Sequence, residues 1–142
     1  MNGRLLVALQ CISLALLVWP WSPGRFSVLS ASLVVLGIGL GLWALAFNRI
    51  GNFNIRPAPK NDALLITGGP YRYIRHPMYA ALLIFGAGIA CWYGTWLKAA
   101  CWLGLGAVLY LKSQAEEAAL MRAFPGYEAY ARHTRRFIPC VF

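Results

Sequence analysis

Long stretches of this chain carry almost no polar residue. The runs are Leu5 to about Trp21, Ser27–Phe47, Pro77 to about Gly94, and about Thr95–Leu111. Each approaches the about 20 apolar residues that a helix needs to cross a bilayer. No Asp, Glu, Arg or His lies inside them, and Lys98 stands at the opening of the fourth. The first run is followed by Trp19-Pro20-Trp21 and then by a second run, with no small-residue cleavage site. It is therefore read as a retained span and not as a leader. Short connections at Ser22–Phe26 and near Gly94 pair the runs, whereas Asn48–His76 between the pairs is long and polar. The pattern predicts an all-α integral membrane protein with four transmembrane helices arranged as two hairpins. A middle loop, 48–79, and a C-terminal helical tail, 112–139, lie outside the membrane, and the whole of 1–142 forms a single domain.

Composition agrees with that pattern. Of 142 residues, 60% are apolar and 12% charged, against about 45–50% and about 25% in soluble domains, and mean hydropathy is +0.59. A soluble domain of this size cannot cover its surface with so few charges, which excludes an ordinary cytosolic enzyme, a disordered segment and a disulfide miniprotein. The net charge of +9, from 13 basic and 4 acidic residues, suggests nucleic acid only if hydropathy is ignored; no nucleic-acid partner is expected. Two hairpins put both termini and the middle loop on one side. Eleven cations then share a face: Arg4, Arg49, Arg56, Lys60, Arg72, Arg75, Lys112, Arg122, Arg132, Arg135 and Arg136. Arg25 and Lys98 are left opposite. The positive-inside rule makes the crowded face cytoplasmic. Asp62, Glu116, Glu117, Glu128, His76 and His133 all fall on it.

Much of the remaining chemistry is bland. Cys11, Cys91, Cys101 and Cys140 have no ligand spacing and His76 and His133 lie far apart, so no metal site is expected. Gly37 and Gly41 have the spacing of a close-packing helix face.

The cytoplasmic segments are more informative. Arg56-Pro57-Ala58-Pro59 is too Pro-rich for a helix, and Gly68-Gly69-Pro70 signals a turn. Tyr71-Arg72-Tyr73-Ile74-Arg75-His76-Pro77-Met78-Tyr79 then interleaves aromatics and cations. Pro77 suits the first position of a helix and pushes His76 out of the helical region. Arg75 and His76 thus stand at the mouth of the third span, beside free amides and the positive helix end. Anion binding and simple anchoring to lipid phosphates both explain this block. Nothing breaks the fourth helix before Pro125, so it projects beyond the membrane and carries Glu116 and Glu117 a turn or more above it. Adjacent helical residues point about 100° apart, so at most one of the two is expected to face a given pocket. A short helix over Gly126–Arg135 would set Tyr127, Tyr130 and Thr134 on one side and pair Glu128 with Arg132 on another.

Taken together, these segments resemble the isoprenylcysteine carboxyl methyltransferase family, which belongs with the membrane phospholipid methyltransferases. The resemblance rests on Gly69-Pro70-Tyr71-Arg72-Tyr73-Ile74-Arg75-His76-Pro77-Met78-Tyr79, on Glu116-Glu117, and on Phe124, Tyr127, Tyr130 and Arg136-Phe137-Ile138-Pro139. It spans about Asn48–Pro139. It implies S-adenosyl-L-methionine as methyl donor, bound where the middle loop and tail form a cap over the cytoplasmic helix ends. His76, Pro77, Tyr79, Glu116, Glu117, Tyr127 and Tyr130 would line the cofactor site, and Arg75 and Arg136 would serve catalysis. A Gly-x-Gly motif of the phospholipid branch corresponds to Gly37-Ile38-Gly39 or Gly39-Leu40-Gly41. From Phe124 to Tyr127 the spacing is one residue shorter than in the eukaryotic enzymes.

The implied activity is methyl transfer to a lipophilic acceptor, either the carboxylate of a prenylcysteine-like molecule or another lipid. Methyl transfer is an in-line displacement governed by alignment. A carboxylate nucleophile needs only an arginine to hold it, and either Arg75 or Arg136 fits, as either also fits the cofactor's carboxylate. An amine nucleophile, as in phospholipid N-methylation, must lose a proton to His76 or a glutamate. A transporter would be expected to carry an ionisable residue within its spans. A purely structural membrane protein is the other alternative.

Overall fold

The computed structural model describes residues 3–20, 23–48 and 65–139. The Arg56–Pro59 stretch, Trp21, Arg49, Lys60, Asp62 and Cys140 lie outside the described residues. Among the described residues the chain is all-helical. It forms α1 (Gly3–Val18), α2 (Val28–Phe47), a 3-10 turn (Gly69–Arg72), α3 (Pro77–Tyr93), α4 (Trp96–Ala123) and α5 (Tyr127–His133).

Local signals set the helix boundaries. Ser27 and Ser30 form a reciprocal capping box at the start of α2, satisfying amides that the first turn leaves orphaned. Gly94, at φ 60°, ends α3 in the left-handed region, where a side chain is strained. One residue later the Thr95 hydroxyl accepts from the Lys98 amide and opens α4. Phe124 is extended at the end of α4, as the residue before Pro125 must be. α2 is 20 residues long with mean hydropathy 2.2, enough to cross a membrane by length and composition.

Packing partners are not the sequence neighbours on the N-terminal side. α2 lies along α3, α1 along α4, and α3 against α4. A Cβ at Gly37 would meet the Phe85 backbone at 2.6 Å, and one at Gly88 would meet the Ser30 carbonyl at 2.9 Å. Glycine at these two positions lets the α2 and α3 backbones touch, a contact specific enough to outweigh the proximity of α1 and α2 in sequence. Leu17, Leu105 and Leu109 form the buried core, with Leu14, Leu83 and Trp102 against it.

Lys98 refines the expected picture. It does not face outward at the end of the bundle but is fully buried. Its ammonium donates to the carbonyls of Leu16 at 3.0 Å, Leu17 at 2.6 Å and Trp19 at 2.5 Å. Carbonyls at a helix C-terminus lack intrahelical donors and carry the negative end of the dipole, so a cation from α4 fits there.

Candidate active site

Three remote segments converge at the opposite end of α4. Gly69, at φ 58°, sits under the Phe47 ring, where a Cβ would approach within 2.5 Å. This docks the 3-10 turn on the end of α2. From there the chain passes beside the tail. The Arg75 amide donates to the Arg135 carbonyl at 2.7 Å, the His76 amide to the Arg136 carbonyl at 3.1 Å, and the Arg135 amide to the Tyr73 carbonyl at 3.1 Å. This single parallel bridge, Ile74 to Arg135, fixes Arg75 and His76 relative to Arg136. Pro77 opens α3 as expected, with His76 at φ −123° just outside the helix.

Glu117 is the hub. It is 5% exposed, and its Oε1 accepts from Arg75 Nε at 2.8 Å and Arg136 Nε at 3.2 Å and lies 3.1 Å from His76 Nε2. Arg136 Nη2 completes a bidentate pair with Oε2 at 2.7 Å. Burial alone would raise the Glu117 carboxyl, but hydrogen bonds from His76, Arg136 and Arg75 outweigh it and hold the group well below the usual carboxylate range. The same carboxylate holds the Arg136 guanidinium above its ordinary value, against burial. Arg75 is committed further, since Nη1 donates to the carbonyls of Ala131 at 3.0 Å and Thr134 at 2.5 Å.

Glu116 behaves differently. It accepts from the Tyr79 hydroxyl at 2.5 Å, and Oε2 lies 3.6 Å from His76 Nδ1. Burial, reinforced by the adjacent Glu117 charge, raises its carboxyl above the ordinary range; the Tyr79 hydrogen bond, His76 and Lys112 offset only part of this. Although adjacent on α4, both glutamates thus lie beside His76. The His76 ring lies between the two carboxylates, and its two nitrogens address one each. Nε2 is within hydrogen-bond distance of Glu117, whereas Nδ1 stands in longer electrostatic contact with Glu116. The Tyr79 ring stacks parallel to His76 at 5.3 Å, and Phe137 covers both.

The tail tyrosines close the far side. Tyr130 donates its hydroxyl to the Tyr71 carbonyl at 2.6 Å, with its ring edge-on to Tyr127. Burial, with help from Glu116, pushes the Tyr71 phenol up to about 12. Tyr127 is 1% exposed, and its hydroxyl has no partner among the described residues. A buried hydroxyl left so is unfavourable. The Glu128–Arg132 pair forms as expected, at 2.6 Å on the exposed face of α5.

All nine residues singled out in the sequence therefore lie at this end of the molecule. Gly39 does not join them; a Cβ there would meet nothing within 4 Å. Sequence reasoning missed Tyr71 and Phe137 as walls, and it passed over Gln10 and Lys112, which meet behind Tyr79. The available signal was a lone amide, Gln10, inside an apolar run.

Fold and site define an all-helical protein whose apolar helices support a cluster of charged and aromatic groups at one end. The sequence signature of the phospholipid methyltransferase family matches residues 26–126, and the chain belongs to that family. Comparison with curated proteins gives no match.

Proposed function

We propose that the chain transfers a methyl group from S-adenosyl-L-methionine to a lipid-like acceptor at the cytoplasmic membrane surface. The observation that carries this reading is the convergence of 71–79, Glu116-Glu117 and 127–137 on one helix end, in a member of a methyltransferase family. α1–α4 are the four spans, and residues 65–79 with the tail form the cap. The site chemistry fits the donor. Its sulfonium, ammonium and carboxylate call for carboxylates and cations together, and the orphaned Tyr127 hydroxyl offers a buried polar partner. When bound, the donor supplies an electrophilic methyl group.

The chain's own residues then divide the work. Glu117, saturated by Arg75, His76 and Arg136, holds the loop and tail in register. His76, Pro77 and Tyr79 form one wall of the cofactor site, and Tyr127 and Tyr130 the other. Glu116, with its Tyr79 partner, is the carboxylate that meets the donor's positive end or its hydroxyls. Arg136 orients a carboxylate, the acceptor's or the donor's, while Arg75 is the positioning partner that ties the tail. A second reading, phospholipid N-methylation, is favoured by the raised Glu116 carboxyl: a carboxylate of raised pKa is a better proton acceptor for an amine.

Calorimetric titration of the detergent-purified protein with S-adenosylhomocysteine tests the proposal. Saturable binding is expected, and absence of heat at millimolar ligand rejects it. Tritiated methyl uptake by prenylcysteine and by phosphatidylethanolamine then distinguishes the two acceptor classes.

A further inference from the structure

α4 buries two lysines, and their surroundings differ. Lys98 has three carbonyl acceptors, as many as an ammonium has hydrogens to donate. Lys112 is 6% exposed, and its Nζ donates to Gln10 Oε1 of α1 at 3.0 Å and lies 5.2 Å from the centroid of the Tyr79 ring. Both partners are neutral. Among the described residues Lys112 forms no hydrogen-bonded ion pair: the Glu116 carboxylate, one turn further along α4, is near enough to feel the ammonium's charge but takes its hydrogen bond from Tyr79. A buried ammonium with one hydrogen-bond acceptor keeps two N–H donors unfilled, and an oxyanion brought against it would fill them.

Position suggests where that anion comes from. Lys112 follows directly on Leu111, the last residue of the fourth apolar run, so its ammonium sits where hydrocarbon gives way to headgroups. Glu116 stands about 6 Å higher along the helix axis at ~1.5 Å per residue. The Tyr79 ring is shared, with its face to Lys112 and its hydroxyl on Glu116.

We propose that Lys112, steadied by Gln10, holds an oxyanion of the acceptor, a phosphate or a carboxylate, below the Tyr79–Glu116 pair. This rests on the methyltransferase reading of the neighbouring site and adds the group that recognises the acceptor. An acceptor anchored there keeps its tail in the bilayer and directs its polar end toward His76 and Glu116. Neutral lipids lack the anchoring group and are discriminated against.

Native mass spectrometry of the detergent-purified full chain tests this with three probes: palmitate, dioleoyl phosphatidylethanolamine and, as neutral control, dioleoylglycerol. The protein is expected to retain palmitate or phosphatidylethanolamine over dioleoylglycerol by about tenfold, equivalent to about 1.4 kcal/mol. Retention of palmitate marks a carboxylate site and retention of phosphatidylethanolamine a phosphate site. Lys112→Met should abolish the preference and Lys112→Arg restore it. Gln10→Leu, which cuts the tie to α1 but leaves the ammonium, should keep most of it. An undiminished preference in Lys112→Met overturns the proposal, as does an equal loss in Gln10→Leu, which would make Lys112 only a strut between helices. Titration with S-adenosylhomocysteine separates the two readings. Lipid preference without cofactor binding rejects the methyltransferase and leaves the anion site, whereas cofactor binding without lipid preference rejects the role of Lys112 alone.

Discussion

The two ends of α4 each bury a charge, and each satisfies it by a different device. At Lys98 the partners are backbone carbonyls of α1, held in place by the helix that owns them. At Glu117 the partners are side chains from Arg75, His76 and Arg136, brought together only by the docking of a turn and a tail. Backbone partners cannot reorganise without unwinding a helix, so the Lys98 end is a fixed joint. Long side chains can exchange partners, so the Glu117 end is an adjustable cluster. One helix thus carries a structural charge at one end and a working cluster at the other, about 28 Å apart at ~1.5 Å per residue.

Breaking each end should therefore give different symptoms. Glu117→Ala leaves two guanidiniums and a histidine facing one another, and removing one partner from a buried pair is destabilising by about 3–5 kcal/mol. The expected outcome is loss of S-adenosylhomocysteine binding and release of 127–139 to limited proteolysis, with helical circular dichroism from α1–α4 retained. If the tail stays protected, Glu117 is not the hub. Acid should produce the same release gradually. The folded-state pKa of Glu117 lies below its unfolded value, so its contribution is fully present above the ordinary carboxylate pKa of about 4.3. It is lost as pH falls from there through the folded value. Protease sensitivity of the tail should rise over that window and recover on neutralisation.

Lys98→Met leaves helix-end carbonyls buried without a donor, at about 1–3 kcal/mol. Thermal unfolding should shift down, while affinity for S-adenosylhomocysteine stays within experimental error of the parent. Altered cofactor affinity would show that the two ends are coupled. Glu128→Ala removes the exposed pair with Arg132, worth about 0.5 kcal/mol or less; neither stability nor cofactor binding should change measurably.

Helices and several of their ends were legible in the sequence because they depend on near neighbours, although the Ser27 and Thr95 caps were not read there. Pro77 opened α3, Gly94 closed it, and Pro125 stopped α4 where the local rules place such residues. Membership of a methyltransferase family was legible because the residues that carry the resemblance can be read by type and order along the chain. The closeness of α2 and α3 was only half visible, since Gly37 announced a packing face but not its partner. Three things were decided by tertiary structure alone: that both glutamates reach His76, that Lys98 caps α1, and that Gln10 meets Lys112. In each case the contact joins residues more than thirty positions apart. Local pattern fixes the direction in which a side chain leaves its own helix, while the element it meets is fixed by which helices pack together and at what depth.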